Sequence, residues 1–400
     1  MGFRRLSSPR QPITTNDYNN RKCKKVMDKI VFLHFFYTFV PKYSYNYKLM
    51  NHLVIMAGGV GSRFWPMSTA EHPKQFIDVL GVGRTLFQLT YDRFEGICAP
   101  ENVWVVTNDR YAAIVHEQLP EIPVGNILRE PCRRNTAPCI AYVSWRIKNA
   151  DPKANIVVAP SDHIVTNPIE FRRVITACLK FTSESDAIVT LGMKPTRPET
   201  GYGYIEADMA QASARNKGIY RVMKFREKPE LETAIKYIQQ SNFFWNAGIF
   251  IWSANTIINS FRVYQPSLAR VFDRIRDKLG TPEEQKIINE VYPDCENISV
   301  DYAIMEKADE IFVCPASFGW SDLGTWGSLL IQSKKDLYGN AVIGGNVDLY
   351  DTKGSIINVH DARKVVVQGL DGYIVAEHDG VLLICKLSEE QRIKQFSGEN

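Results

Sequence analysis

Residues 53–63 read Leu53-Val54-Ile55-Met56-Ala57-Gly58-Gly59-Val60-Gly61-Ser62-Arg63. An unbroken apolar run enters a glycine-rich turn and ends on an arginine. Such a run, without polar alternation, suits a strand buried on both faces. Glycines let the backbone approach a phosphate chain and aim N–H groups at it. Arg63 adds a planar charge that stays protonated. The turn is not a dinucleotide fingerprint, because Phe64 stands where the third glycine of G-x-G-x-x-G belongs. No G-K-[ST] follows, so it is not a Walker loop either. By itself the segment supports phosphate binding or an ordinary structural turn.

Working outward, further apolar runs of strand type lie at 103–106, 156–159, 187–191, 249–252 and 311–313. Helical patterns lie between them at 86–94, 137–148, 171–181, 231–240 and 282–291. This alternation predicts an α/β fold, a Rossmann-like doubly wound sheet that is mixed but mainly parallel. In such sheets the ligand sits in loops at the carboxyl ends of the strands. After residue 335 the texture changes to short apolar runs at 341–343, 355–359, 365–368, 373–376 and 381–385. Gly-Gly and Asp-Gly turns separate them, among them Asp371-Gly372 and Asp379-Gly380. A helix is expected at 388–396. The chain therefore divides into an extension at 1–49, an α/β domain at 50–335 and a small β-rich domain with a terminal helix at 336–400.

Residues 1–49 hold ten Lys or Arg against Asp17 and Asp28, a charge of +8 in a chain whose total is +4. The remainder is mildly acidic at −4, which argues against nucleic acid as a partner. The apolar run at 30–40 is too short to span a bilayer, so no membrane partner is expected. Met50 opens the patterned part, and 1–49 is expected to be a disordered or weakly packed extension outside the working protein. The eight cysteines show no C-x-x-C spacing, which suits reduced thiols in the cytoplasm.

A second cation, Lys74, follows in Pro73-Lys74-Gln75-Phe76. Together, Gly58-Gly59-Val60-Gly61-Ser62-Arg63-Phe64-Trp65-Pro66 and this second element resemble the signature of mannose-1-phosphate guanylyltransferases, within the sugar-nucleotidyltransferase family. The likeness continues in order through Glu130-Pro131, Arg134-Asn135-Thr136-Ala137-Pro138 and Pro160-Ser161-Asp162-His163. Next come Glu199-Thr200-Gly201-Tyr202-Gly203, Phe225-Arg226-Glu227-Lys228-Pro229 and Trp245-Asn246-Ala247-Gly248. Val300-Asp301-Tyr302 and Trp320-Ser321-Asp322-Leu323-Gly324 close the series.

The resemblance implies transfer of GMP from GTP to α-D-mannose 1-phosphate, giving GDP-mannose and pyrophosphate. It implies that Ala57, Gly58, Gly59, Gly61 and Ser62 carry the triphosphate, with Arg63 and Lys74 stabilising the departing pyrophosphate. Asp162, after a buried run, and Asp322, in a Gly/Trp-rich loop, are the carboxylates it assigns to Mg²⁺. That ion takes one or two protein carboxylates beside phosphate oxygens and water. Lys228 would hold the sugar phosphate, with Glu227 orienting it. Glu199, Gly201, Asn246 and Gly248 would form the sugar site. Glu130, Asn135 and Thr136 are candidates for reading guanine, while Arg134 either braces that loop or joins them. His163 reads as structural, because a sugar phosphate oxygen is already anionic and needs no base. A homodimer through a left-handed β-helix-like carboxyl region is also implied. A chain ending at Asn400 is expected to lack the isomerase domain fused to some relatives. The alternatives are a related transferase for another sugar or base, and a catalytically silent nucleotide-sugar-binding subunit. The silent subunit would be expected to lack Arg63, Lys74, Asp162 or Asp322, and all four are present.

Overall fold

The structure, a computed structural model, describes residues 50–59, 62–213, 216–359 and 364–398. The extension at 1–49, Gly61 and the side chain of Ser62 lie outside the described residues.

The strands of the main sheet are β1 (Asn51–Met56), β2 (Val103–Asn108), β3 (Ile127–Glu130), β4 (Asn155–Pro160), β6 (Ile188–Met193), β7 (Tyr204–Ser213), β8 (Asn216–Arg226), β9 (Phe243–Ser253) and β10 (Ile311–Ala316). A short β5 (Ile164–Val165) pairs outside this sheet with β11 (Trp320–Ser321). The order across the main sheet is β3-β2-β1-β4-β9-β6-β10-β8-β7. Both faces are covered. Val54 on β1 joins one hydrophobic cluster, while Leu53 and Ile55 join the other, as the two-residue period of a strand requires. Helices α1 (Leu86–Arg93), α2 (Ala112–Gln118), α4 (Pro168–Ser183) and α5 (Leu231–Ile238) serve the Leu53 face. Helices α3 (Thr136–Ala150), α6 (Ala254–Tyr264), α7 (Pro266–Ile275) and α8 (Glu284–Val291) serve the other.

The sheet is mixed, and seven of its nine strands run in one direction. β1 runs parallel to β2 and β4, β2 to β3, and β6 to β10. β9, however, runs antiparallel to both β4 and β6, and β8 is antiparallel to β10 and β7. The apolar run at 249–252 is continuous because helices bury both faces of β9, and such burial carries no sign of strand direction.

In the carboxyl-terminal region β12 (Ala341–Gly344), β14 (Ile356–Val359) and β16 (Tyr373–His378) pair in parallel. A second parallel pair joins β13 (Val347–Tyr350) to β15 (Val365–Gln368), and Lys353 bridges Asp371 in parallel. These three sets of contacts make a coil with three pairing faces. β17 (Val381–Lys386) then pairs antiparallel with β16. The connecting Asp379-Gly380 has φ 50° and 77°, as a two-residue hairpin turn with positive φ at both positions demands. Ile343, Ile356 and Ile374 of the coil share a hydrophobic cluster with Phe64, Leu323 and Trp326. Trp326 opens helix α9 (Trp326–Gln332), and its ring lies 5.3 Å from that of Phe64. The terminal segment is a 3₁₀ turn followed by the short helix α10 (Ile393–Phe396).

Candidate active site

The site is assembled at the carboxyl ends of β1 and β4. Pairing of Ser321 with Ile164 and of Trp320 with Val165 brings the 162–165 loop beside the 320–324 loop. Lys74 joins them. Its Nζ lies 3.0 Å from Oδ2 of Asp162 and donates to the carbonyls of Asp322 at 3.1 Å and Leu323 at 2.9 Å. The Lys74 side chain is only 9% exposed and that of Asp162 31%, so the ammonium requires the partners it has. Expected on the triphosphate, Lys74 here has all three of its donors on these loops.

Burial works to raise the pKa of the Asp162 carboxyl. The Lys74 ammonium and, to a lesser degree, His163 outweigh it and hold that carboxyl below its ordinary range. Behind it, buried Arg93 donates to the His163 carbonyl at 2.6 Å, and burial lowers its pKa to about 10. His163 Nδ1 accepts from Trp320 Nε1 at 3.2 Å, which places the ring proton on Nε2. Burial lowers the His163 pKa, so the ring is neutral.

Asp322 Oδ1 accepts from the Tyr202 hydroxyl at 2.6 Å. A Cβ at Gly324 would sit 2.8 Å from Asp322 Oδ2 and 3.5 Å from Arg63 Nη1, so glycine leaves room for both side chains. Arg63 itself is exposed. Among the described residues no group of three or more His, Cys, Asp or Glu could hold a metal ion. The Asp162 carboxylate pairs with Lys74 and that of Asp322 with the Tyr202 hydroxyl, and two such carboxylates, completed by substrate oxygens and water, fit Mg²⁺ rather than a metal enclosed by protein alone.

Two cavities flank Asp322. The larger, about 1110 Å³, is lined by Arg63, Arg197, Glu199, Tyr202, Lys228 and Asp322 among others. The smaller, about 250 Å³, includes Thr136, His163, Glu227, Asn246, Asp301 and Asp322. Gly201, Tyr202, Trp320 and Asp322 line both, so the two are contiguous. The expected sugar residues are thus divided. Glu199 pairs with Arg197 at 3.0 Å in the larger cavity, whereas Asn246 and Gly248 line the smaller. Gly248 has φ 68°, and a Cβ there would come within 3.5 Å of Pro160. The β6–β9 register shifts between Thr190 and Gly192. Such an irregularity re-aims side chains, and Asn246 lies on it. Lys228 Nζ is 2.8 Å from Glu227 Oε1.

The expected base-reading residues are each held by a neighbouring group. Asn135, at φ 64°, caps α3 by accepting from Thr136 N at 2.9 Å. Thr136 Oγ1 accepts from Val300 N at 2.9 Å. Arg134 donates to the Pro293 carbonyl, which braces that loop. Glu130 is buried at the end of β3, accepts from the Tyr292 hydroxyl and lies close to Gly58. Burial raises its pKa to about 7, against a smaller opposing effect of Tyr292. A carboxyl that holds its proton more tightly when folded stabilises fully below its unfolded pKa, and that contribution is lost as pH rises through 7. The wild-type melting temperature should therefore fall between pH 5 and pH 8 more than that of Glu130→Gln. Equal slopes in a thermal-melt series would refute this.

The family described as nucleotidyl transferase matches residues 52–338. The chain belongs to the nucleotidyl transferase family. Within it, the resemblance to mannose-1-phosphate guanylyltransferases holds. The chain is 35% identical over 351 residues to mannose-1-phosphate guanylyltransferase 2 of Escherichia coli O157:H7, covering 86% of this chain and 72% of that one. It is 34% identical over 351 residues to the alginate biosynthesis protein AlgA of Pseudomonas fluorescens, covering 86% and 70%. A solved structure of a mannose-1-phosphate geranyltransferase from Thermus thermophilus superposes with TM-score 0.78 at 30% identity, covering 88% of this chain and 99% of that one. In this nucleotidyl transferase, sequence reasoning assigned no task to Tyr202, Trp320, Arg93, Arg197, Tyr292 or Asp301. Tyr202, Trp320 and Asp301 lie inside the quoted motifs, which was the available signal. Arg93, Arg197 and Tyr292 lie outside them and carried none.

Proposed function

We propose that this enzyme transfers GMP from GTP to α-D-mannose 1-phosphate, forming GDP-mannose and pyrophosphate. What carries the reading is the meeting of the Asp162 and Asp322 loops on Lys74, next to a cavity that Arg63 and Lys228 also line. The 35% identity to a relative named mannose-1-phosphate guanylyltransferase 2 supports the choice of base and sugar.

The sugar phosphate oxygen attacks the α-phosphorus in line, and pyrophosphate leaves on the opposite side. The attacking oxygen is anionic, so the neutral His163 has no proton to remove. Arg63, Ala57 and the glycine turn cradle the triphosphate. Lys228 positions the sugar phosphate, with Glu227 holding its ammonium. Asn246 and Gly248 face the hexose, with Glu199 and Gly201 at the mouth. Glu130, Asn135 and Thr136 set the guanine end. Asp162 and Asp322 would hold Mg²⁺, which when bound neutralises charge on the phosphate oxygens. Residues 50–335 form the catalytic domain and 336–400 the coil, which we read as left-handed and as the contact of a cytoplasmic homodimer.

Lys228→Ala should raise KM for mannose 1-phosphate by about 10-fold or more and leave KM for GTP near its original value. An unchanged sugar KM in steady-state assays would remove Lys228 from the phosphate. The assignment as a whole is tested by pyrophosphate release with four nucleoside triphosphates against mannose, glucose and heptose 1-phosphates. Preference for any pair other than GTP and mannose 1-phosphate overturns it.

A further inference from the structure

Asp301 lines the smaller cavity beside Asn246, Glu227 and Gly248. It opens a π-helical turn, Asp301–Met305, a geometry that concentrates at functional sites. Its Oδ1 accepts from Nδ2 of Asn246 at 3.0 Å. The oxygen of the same amide accepts from Oγ1 of Thr190 at 2.8 Å and from N of Gly248 at 3.2 Å. Three hydrogen bonds from three different segments therefore hold the Asn246 amide in one orientation. Its oxygen is saturated and one N–H remains for a ligand. Of the other carboxylates of this cavity, Glu227 is engaged by Lys228 and Asp322 by the Tyr202 hydroxyl. Asp301 instead faces an amide, and burial together with the nearby Glu227 raises its pKa to about 7.

We propose that Asp301 selects the sugar, holding Asn246 in place and accepting a hydrogen bond from a ring hydroxyl of the hexose 1-phosphate. This deepens the reading above of the sugar site and rests on it. A hexose 1-phosphate offers one anionic end, which Lys228 engages, and otherwise hydroxyl donors. Epimers share the phosphate and differ in the direction of a single hydroxyl, so Lys228 cannot distinguish them. A rigid pair of one acceptor and one oriented amide can, because the wrong epimer leaves a buried polar group unpaired.

The test is steady-state kinetics of the full chain with GTP and either mannose 1-phosphate or its 2-epimer glucose 1-phosphate. The variants are Asp301→Asn and Asp301→Ala. Asparagine keeps the oxygen that Asn246 donates to and removes the charge. It should raise the sugar KM about 10-fold with the KM for GTP and kcat within about 2-fold of wild type. Alanine should raise the sugar KM about 100-fold and cut the preference for mannose over glucose about 10-fold. If the alanine variant does not fold, the asparagine variant decides. A sugar KM within about 2-fold of wild type, or a rise in the KM for GTP equal to that for the sugar, overturns the proposal. If the wild-type chain favours another sugar 1-phosphate, the functional assignment fails, yet the same comparison on that sugar still decides Asp301.

Discussion

Asp162→Asn is expected to lower kcat for pyrophosphate release by about 10³-fold, a far larger effect than its loss of melting temperature. The amide has the shape of the carboxylate but not its charge. Lys74 would keep its two carbonyl acceptors on Asp322 and Leu323, so the loops stay joined. What disappears is one of the two carboxylates that would neutralise a divalent cation, and with it the anchor for the reacting phosphates. Mn²⁺ binding followed by electron paramagnetic resonance separates this from a change in GTP binding and should weaken in parallel. A variant with near wild-type turnover would remove Asp162 from the metal.

Lys74→Met is the second large effect, and it differs in kind. Methionine fills the space, but the partly buried Asp162 carboxylate loses its cation and two carbonyls lose a donor. Breaking such a pair from one side costs about 3 kcal/mol, and turnover should fall with it because the two aspartate loops are no longer tied. The pH dependence identifies the cause. In the wild type the lowered Asp162 pKa contributes stability above its unfolded value, and this is lost as pH falls through the folded value. In the variant the largest charge opposing burial is gone, leaving only His163 and a backbone hydrogen bond to act against it, so this stabilising contribution near neutrality is reduced. The gap in melting temperature should therefore be widest near neutrality and close toward pH 3. A gap that does not vary with pH would place the damage in packing, for instance against the Phe64 ring, 5.9 Å from Nζ.

Much of this chain could be read in order from residue types. The buried runs at 53–57, 103–106, 156–159 and 311–313 correspond to β1, β2, β4 and β10, because continuous burial demands continuous apolarity. The β7–β8 hairpin carries no such signal. Its exposed positions, such as Met223 and Met209, break the alternation that marks a strand. Helices α6 and α7 carry none either, since α7 is charged on its outer face and starts at Pro266. Asn135 and Thr136, expected on the base, are engaged in starting α3, a task that the residue types Asn and Thr also fit.

The sequence by itself marked the candidate loops: a glycine turn after a buried strand, an aspartate after another, and a second aspartate in a Gly/Trp-rich segment. These are local properties, set by neighbours within a few residues. Only the tertiary structure decided which charges meet. Lys74 finds its carbonyl partners 248 and 249 residues away, and Asp301 reaches Asn246 across 55 residues. It also decided that β9 runs against β4 and β6, the arrangement that brings Asn246 beside Thr190 and Asp301. An ion pair or an oriented amide depends on distances of a few ångströms. Those distances are set by the order and direction of strands across the sheet, which the apolar pattern of a single strand does not encode.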